Sequence, residues 1–185
     1  MIKKNTTLSV NKSNKHPSII NGIVENDPDV DALFRLTCNH SVSWEPNKKI
    51  IISNKNICVF NTQNTFWIDP EIFISLLLPC SVSDRYCDIL RSIITNIILR
   101  KKDKNMAYTS PNVKQIRNKH DLINDFKLEY PMYIANENIL DHISDNIDEI
   151  SNDKDLIKLI YDNLLKHNVI TDIDIEICNE WLSYF

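Results

Sequence analysis

Short polar phrases separate the apolar segments of this 185-residue chain, and their order constrains the fold more than any other feature. Carboxylates, amides and guanidinium groups at the ends of apolar elements are costly to bury unpaired. They therefore either cap the element or form the wall of a polar pocket. The phrases occupy residues 27–37, 60–65, 79–91 and 115–121. Each of them is a candidate for one of these two roles.

The apolar segments of the first two thirds of the chain predict an α/β part with few strands. Residues 17–24 are expected to be extended, and a short helix should then run from Asp29, as its cap, to about Thr37. Residues 49–52 and 57–60 predict two strands joined by a turn, which favours a hairpin.

Capping residues and apolar periodicity predict the next elements. Asp69 and Pro70 open a helix that runs through Leu78. A longer helix is predicted for about 83–101, because its isoleucine and leucine residues recur at helical spacing. A short strand is expected at 106–109.

The pattern beyond residue 135 is purely helical and strongly acidic. Helices are predicted at 138–150 and 153–166, and a third is capped by Thr171 and ends near the last residue. The expected organisation is a flexible basic arm (1–16), a partial α/β domain (17–134) and an acidic helical C-terminal region (135–185).

Composition excludes several classes of protein. A hydrophobic fraction of 43% supports a real core, and a net charge of -4 gives no reason to propose nucleic acid or anionic membrane as a partner. No signal peptide is visible, and the apolar run 89–99 is too short to span a bilayer. Five cysteines without CxxC spacing favour free thiols in a reducing compartment and argue against zinc.

The aspartates of the first phrase, Asp27, Asp29 and Asp31, admit two interpretations. Alternating carboxylates can share a divalent metal, as acidic motifs do in nucleotide-sugar enzymes. The same residues can instead cap a helix, with Asp31 paired to Arg35 and no ligand involved. The helix cap is the simpler interpretation, because such caps are common.

Three amides, Asn61, Gln63 and Asn64, follow a predicted strand and suggest a sugar-binding loop. An amide both donates and accepts hydrogen bonds, which suits sugar hydroxyl groups. Phe66 and Trp67 would add a flat apolar surface beside them. The alternative is an asparagine-rich turn bonded to its own backbone.

Asp88 is the predicted catalytic residue. It lies between Arg85 and Arg91 at three-residue spacing, and two arginines would keep the carboxylate ionised, as a base or sugar ligand requires. The alternative is a salt-bridged helix face of little energetic consequence. The flanking Cys87 and Ile89 indicate partial burial and argue against a fully solvated face.

The last phrase contributes Arg117 and His120. Arg117 could pair with a phosphate through two hydrogen bonds, and His120 could ligate a metal or transfer a proton. A histidine in a polar loop is more often simply solvated. We therefore predict both residues as substrate-binding candidates and assign no metal ligands.

Taken together and in order, the four phrases resemble the carboxyl-terminal half of the domain found in the STELLO-like glycosyltransferase family. That family is related to the reversibly glycosylated polypeptides, which are UDP-arabinopyranose mutases. The resemblance covers roughly Ile20 to Tyr133 and implies a partial glycosyltransferase-A-like domain with a sugar or glycan ligand. In STELLO-like proteins the phrase that begins at Asp27 follows the metal-binding motif, which implies an acceptor-side wall.

The residues around Asp88 are similar to the Arg-Tyr-Asp-Asp-Met-Trp stretch of the mutases, in which the position of Asp88 is acidic. Leu90 stands where that family has a tryptophan, so a stacking surface is lost there.

The resemblance also implies that a nucleotide-binding half is missing. Such an enzyme needs an amino-terminal βαβ unit and an acidic pair for the metal-bound diphosphate. The residues before Ile20 are mostly polar, and one glycine cannot build a Gly-rich phosphate loop. We therefore expect a truncated protein, inactive alone, in which UDP-sugar and manganese or magnesium would require the other half. The alternative is a non-catalytic interaction protein that docks a partner through the acidic helices.

Overall fold

The computed structural model describes residues 16–38, 49–52, 57–144 and 150–185, except for the side chains of 136–144. In this part of the chain, four strands form one mixed sheet. The strands are β1 (Ile19–Asn26), β2 (Lys49–Ile52), β3 (Thr65–Trp67) and β4 (Met106–Gln115). Their spatial order is β2-β4-β1-β3. The central pair β1 and β4 is parallel, and each edge strand is antiparallel to its neighbour.

The helices of the described part confirm the α/β class with a helical C-terminal region. They are α1 (Ala32–Thr37), a 3-10 helix (Pro70–Leu76), α2 (Cys87–Lys101), α3 (Leu122–Ser144), α4 (Asp153–Lys166) and α5 (Asp172–Leu182). Asp69 caps the 3-10 helix, as predicted, by accepting a hydrogen bond from the Glu71 N–H at 3.0 Å. The predicted helix at 153–166 is also confirmed.

Helix α2 supplies much of the hydrophobic core. Ile93, Ile94 and Ile98 are almost fully buried, and the helix packs against the 3-10 helix and α4. Full burial of one such side chain contributes about 1.5–3 kcal/mol. Leu156 of α4 and Leu182 of α5 belong to the same cluster, so the C-terminal helices share this core with the α/β part. None of the described helices is long and apolar enough to cross a membrane.

The predicted hairpin of 49–52 and 57–60 is wrong. Strand β2 pairs with β4 instead, and residues 57–60 form no strand. The reason is a side chain on α2: the Asn96 amide accepts from the Cys58 N–H at 3.2 Å and donates to the Cys58 carbonyl at 3.1 Å. These bonds replace a strand partner for the backbone of Cys58. The predicted turn at 54–56 and the predicted arm up to residue 15 lie outside the described residues.

The predicted helix at 138–150 is wrong at its start, because α3 already begins at Leu122. The helix contains Pro131, a residue that normally indicates a helix end because it lacks an N–H donor. Helix α3 ends at Ser144, and residues 150–152 are not helical. A single long helix therefore crosses the predicted boundary at residue 134.

The parallel pair β1 and β4 has an irregular register that shapes the site. Gly22 pairs with Thr109 and Val24 with Val113, so three residues of β4 lie opposite one residue of β1. Pro111 falls in this irregularity, where a missing N–H does not interrupt the ladder. The strand is consequently longer than the predicted 106–109, and it brings the Asn112 side chain close to Gly22 of β1.

Candidate functional site

A cavity of about 520 Å³ lies beside the carboxyl-terminal part of β1. Ligand sites in open α/β sheets commonly lie outside the carboxyl ends of the strands. The lining comes from four separate parts of the chain, namely 21–34, 59–63, 84–89 and 129–133, together with Tyr108 of β4. The cavity therefore forms only when these parts are folded together.

Six of the ten predicted site residues line this cavity. They are Asp29, Asp31, Asn61, Gln63, Arg85 and Asp88. The other four, Asn64, Arg91, Arg117 and His120, are absent from the lining. Asn64 and Arg117 bond to residues of the lining, His120 does not, and Arg91 is a buried residue of α2.

Asp88 is held by the amide loop. Its Oδ2 accepts hydrogen bonds from the Thr62 N–H and the Thr62 hydroxyl, both at 2.9 Å. Its other oxygen, Oδ1, receives no hydrogen bond from any described residue. Asp88 is thus oriented by one oxygen and leaves the other available at the cavity.

The predicted pairing of Asp88 with two flanking arginines is wrong. Arg85 turns to Glu129, with its Nε 3.0 Å from Glu129 Oε1. Arg91 stacks on Trp67, with its guanidinium carbon 5.3 Å from the ring centre. Burial lowers the pKa of the Arg91 guanidinium, and the charge of Asp88 opposes that shift. Arg85 lies before α2, which begins at Cys87, so only Asp88 and Arg91 share a helix face. Each arginine has its closest partner on another element.

The predicted aromatic surface of Phe66 and Trp67 does not face the cavity. Trp67 packs edge-to-face on Phe60 at 6.0 Å between ring centres and lies under Arg91. The aromatic rings in the lining are instead Phe34, Phe60, Tyr108 and Tyr133.

The three aspartates of the first phrase differ in their nearest partners. Asp31, not Asp29, caps α1, because its Oδ1 accepts from the Phe34 N–H at 2.8 Å. Asp27 pairs with Arg35 at 2.7 Å, in place of the predicted Asp31–Arg35 pair. No cluster of three or more metal-ligating side chains is found within the described segments. An aspartate of this phrase does cap a helix, but the predicted cap residue Asp29 and the predicted Asp31–Arg35 pair are both wrong.

Arg117 connects the segments that follow β1 and β4, whereas His120 bonds to the first turn of α3. Because β1 and β4 are parallel, with Asn26 opposite Gln115, the segments that follow them lie side by side. The Arg117 Nη2 lies 2.5 Å from Asp29 Oδ1 and its side chain is only 7% exposed. His120 Nδ1 lies 3.0 Å from Asp125 Oδ2. Arg117 therefore braces the wall that Asp29 contributes, whereas His120 contacts Asp125, which does not line the cavity.

Sequence reasoning missed two residues of the wall, Glu129 and Tyr133. Glu129 is only 2% exposed and accepts from the Ala32 N–H at the start of α1 at 2.7 Å. The Tyr133 hydroxyl donates to Asp31 Oδ1 at 2.9 Å. Burial, together with Asp31 nearby, raises the pKa of this hydroxyl, so it remains a donor at neutral pH. Their four-residue spacing on one helical strip was the available signal.

Gly22 is the one glycine of the chain and lies where β1 meets the amide loop. The Asn64 Nδ2 donates to the Gly22 carbonyl at 3.0 Å and to Asn112 Oδ1 at 2.6 Å. A Cβ on Gly22 would collide with the Asn64 amide and come within 2.8 Å of Asn112 Oδ1. Asn64 therefore fixes the position of the loop that carries Asn61 and Gln63.

No model of a known protein family and no curated protein matches this sequence.

Proposed function

We propose that this is a glycosyltransferase-like protein whose cavity is the sugar, or acceptor, side of a nucleotide-sugar transferase site. The supporting observation is that residues from separate parts of the sequence meet at one cavity. Six predicted site residues, the catalytic candidate Asp88 and five substrate-binding candidates, come from three of the four polar phrases and line one cavity of about 520 Å³. That volume lies within the range of about 300–1,000 Å³ typical of small-molecule sites.

The chemistry of the lining suits a carbohydrate. Sugar rings present hydroxyl groups around an apolar face, so their sites combine amides and carboxylates with aromatic rings. Asn61 and Gln63 provide amides beside the ring-bearing residues Phe34 and Tyr133. The Gln63 side chain makes no hydrogen bond within the described residues, which leaves its amide available to a ligand.

Asp88 is the proposed base or hydroxyl-binding carboxylate. Thr62 fixes one oxygen, so the free Oδ1 has a defined direction before a ligand binds. A base must reach the proton that it abstracts within hydrogen-bond distance, and such prior orientation lowers the cost of binding.

Binding of a nucleotide diphosphate would require a complementary nucleotide-binding half. Arg85 and Arg117 are each engaged by a carboxylate, Glu129 and Asp29 respectively. The proposed UDP-sugar and its manganese or magnesium ion would therefore be held chiefly by that second half. Whether transfer occurs depends on its presence.

Saturation-transfer NMR with free monosaccharides tests the sugar site, and calorimetry with UDP-sugars and manganese tests the nucleotide part. We expect monosaccharide signals that Asp88→Asn removes and weak or no UDP-sugar binding by this chain. The matched control is Asp162→Asn on the exposed side of α4, which should change neither result. Sugar binding that survives Asp88→Asn, or tight UDP-sugar binding, would contradict the proposal.

The alternative of an interaction protein is favoured by one observation. Helices α4 and α5 expose Asp155, Asp162, Glu176 and Glu180. If these helices dock a partner, Asp88→Asn should leave partner binding unchanged while it removes sugar binding.

A further inference from the structure

Five carboxylates and one guanidinium group line the cavity. The acids are Asp29, Asp31, Asp84, Asp88 and Glu129, and the cation is Arg85. Two of the acids are already compensated: Arg85 pairs with Glu129, and Arg117 behind the wall pairs with Asp29. The other three acids of the lining, Asp31, Asp84 and Asp88, have no such ion pair.

Asp31, Asp84 and Asp88 form no direct ion pair with a lysine or arginine of the described chain, and Asp88 interacts with the buried Arg91 only at longer range. Asp31 takes hydrogen bonds from the Phe34 N–H and the Tyr133 hydroxyl, and Asp88 takes both of its bonds from Thr62. These donors are neutral, so they orient the carboxylates without cancelling their charge.

The remaining charge decides what kind of ligand the cavity favours. Carboxylates of one sign in a concave site focus a negative potential, which attracts cations and repels phosphate. Aromatic faces in the same lining, from Phe34, Tyr108 and Tyr133, can also attract a cation through their ring electrons. The negative charge of the cavity and its aromatic rings thus both favour a positively charged ligand.

We infer that the sugar taken by this cavity carries a protonated amine, as an amino sugar does. The inference rests on the proposed sugar site and specifies its ligand class. The ammonium group binds near the uncompensated carboxylates Asp84 and Asp88, and the ring hydroxyl groups contact Asn61 and Gln63. A phosphorylated sugar is excluded by the same charges.

Four probes that share one ring separate charge from shape: glucose, glucosamine, N-acetylglucosamine and glucose 6-phosphate. Their affinities are measured by NMR titration of the full chain at low salt. We expect glucosamine to bind at least about fivefold more tightly than glucose, which corresponds to one exposed ion pair. Acetylation of the amine should remove this advantage, added salt should reduce it, and the phosphate should bind most weakly.

Two variants test whether the preference for glucosamine depends on the carboxylates of the cavity. Asp84→Asn should reduce the preference for glucosamine over glucose with little change in fold, because no described residue bonds to the Asp84 carboxylate. Asp162→Asn, with the same charge change on α4, should leave the preference intact.

The outcomes distinguish this inference from the proposal on which it rests. Equal affinity for glucose and glucosamine would contradict the proposed amine on the ligand, but it would still support a sugar site. Tightest binding of glucose 6-phosphate would also overturn it. If none of the four probes binds, both the amine and the sugar site are refuted.

Discussion

Two buried carboxylates, Glu129 and Asp174, show how differently similar acids can be used in one molecule. They are 2% and 1% exposed, and each accepts backbone N–H donors from a distant part of the chain. Glu129 also pairs with Arg85 and lines the cavity. Asp174 accepts from the Cys80 N–H at 2.6 Å, from the Ser81 N–H at 3.2 Å and from the Ser81 hydroxyl, and it lines no described cavity.

The difference separates two roles of polar residues at element ends. Asp174 is a closed cap, because both of its oxygens are satisfied by the loop that it holds. Glu129 belongs to a wall that also includes Asp29, Asp31 and Tyr133. Removing the cap should therefore affect stability alone, whereas removing the wall should affect both stability and ligand binding.

Glu129→Ala should have the largest effect. It removes the nearest carboxylate of the mostly buried Arg85, which is left with Asp125 at 3.9 Å and Asp29 at 4.0 Å, and it leaves the Ala32 N–H without its acceptor. We therefore expect a loss of about 3–5 kcal/mol in the free energy of unfolding. Urea unfolding measures it. The control Glu129→Gln keeps an acceptor for Ala32 and should cost less. Equal costs for the two variants would contradict the ion pair.

Asp174→Ala should cost about 2–3 kcal/mol, because it leaves buried donors of Cys80 and Ser81 without an acceptor. Sugar affinity of the folded fraction should not change. A loss of sugar affinity as large as that in Glu129→Ala would contradict the claim that Asp174 affects stability alone.

Gly22→Ala should cost about 1–3 kcal/mol, because the added methyl group collides with the Asn64 amide. The double variant Gly22→Ala/Asn64→Ala removes the colliding group. It should therefore lose less than the sum of the two single variants in the same unfolding measurement. Simple additivity would show that the two residues are not coupled.

Acid should weaken the cap through Asp174. Burial tends to raise the pKa of this carboxyl, but the hydrogen bonds from Ser81 and Cys80 outweigh burial, and its pKa is lowered in the folded protein. A lowered pKa stabilises the fold above the ordinary aspartate value of about 3.9, and this contribution is lost as the pH falls through the folded value. The free energy of unfolding should therefore depend less on pH in the acid range in Asp174→Asn. The control Asp162→Asn, at an exposed position, should keep the pH dependence of the unchanged protein.

Gln63→Ala should have the smallest effect on stability, within about 0.5 kcal/mol, because the side chain is exposed and unbonded within the described residues. Sugar affinity should fall about two- to tenfold, as expected for one hydrogen bond. Asn179→Ala on the exposed side of α5 is the control. An unchanged affinity in Gln63→Ala would remove this amide from the site.

The sequence alone predicted what depends on local pattern. The span of α4 and the Asp69 cap follow from nearby residues, and both are confirmed. The wrong predictions involve partners far along the chain: Arg85 bonds to Glu129, 44 residues away, and Asn96 reaches Cys58, 38 residues away. Local spacing cannot reveal such competitors, because they become neighbours only after folding.

The same limit applies to the site. Polar phrases at element ends pointed to six residues of the cavity lining. They could not distinguish Asp174, which resembles them in sequence, as the cap of a remote loop. Burial and the geometry of partners make that distinction.

The most direct test of the account is a map of backbone amide shifts in an NMR titration with monosaccharides. We expect shifts at Thr62, Gln63 and Ala32, whose amides lie on or behind the wall, and none at Cys80 and Ser81, which bond to Asp174. Shifts confined to the cap, or no shifts at saturating sugar, would contradict the claim that these polar groups form a carbohydrate site.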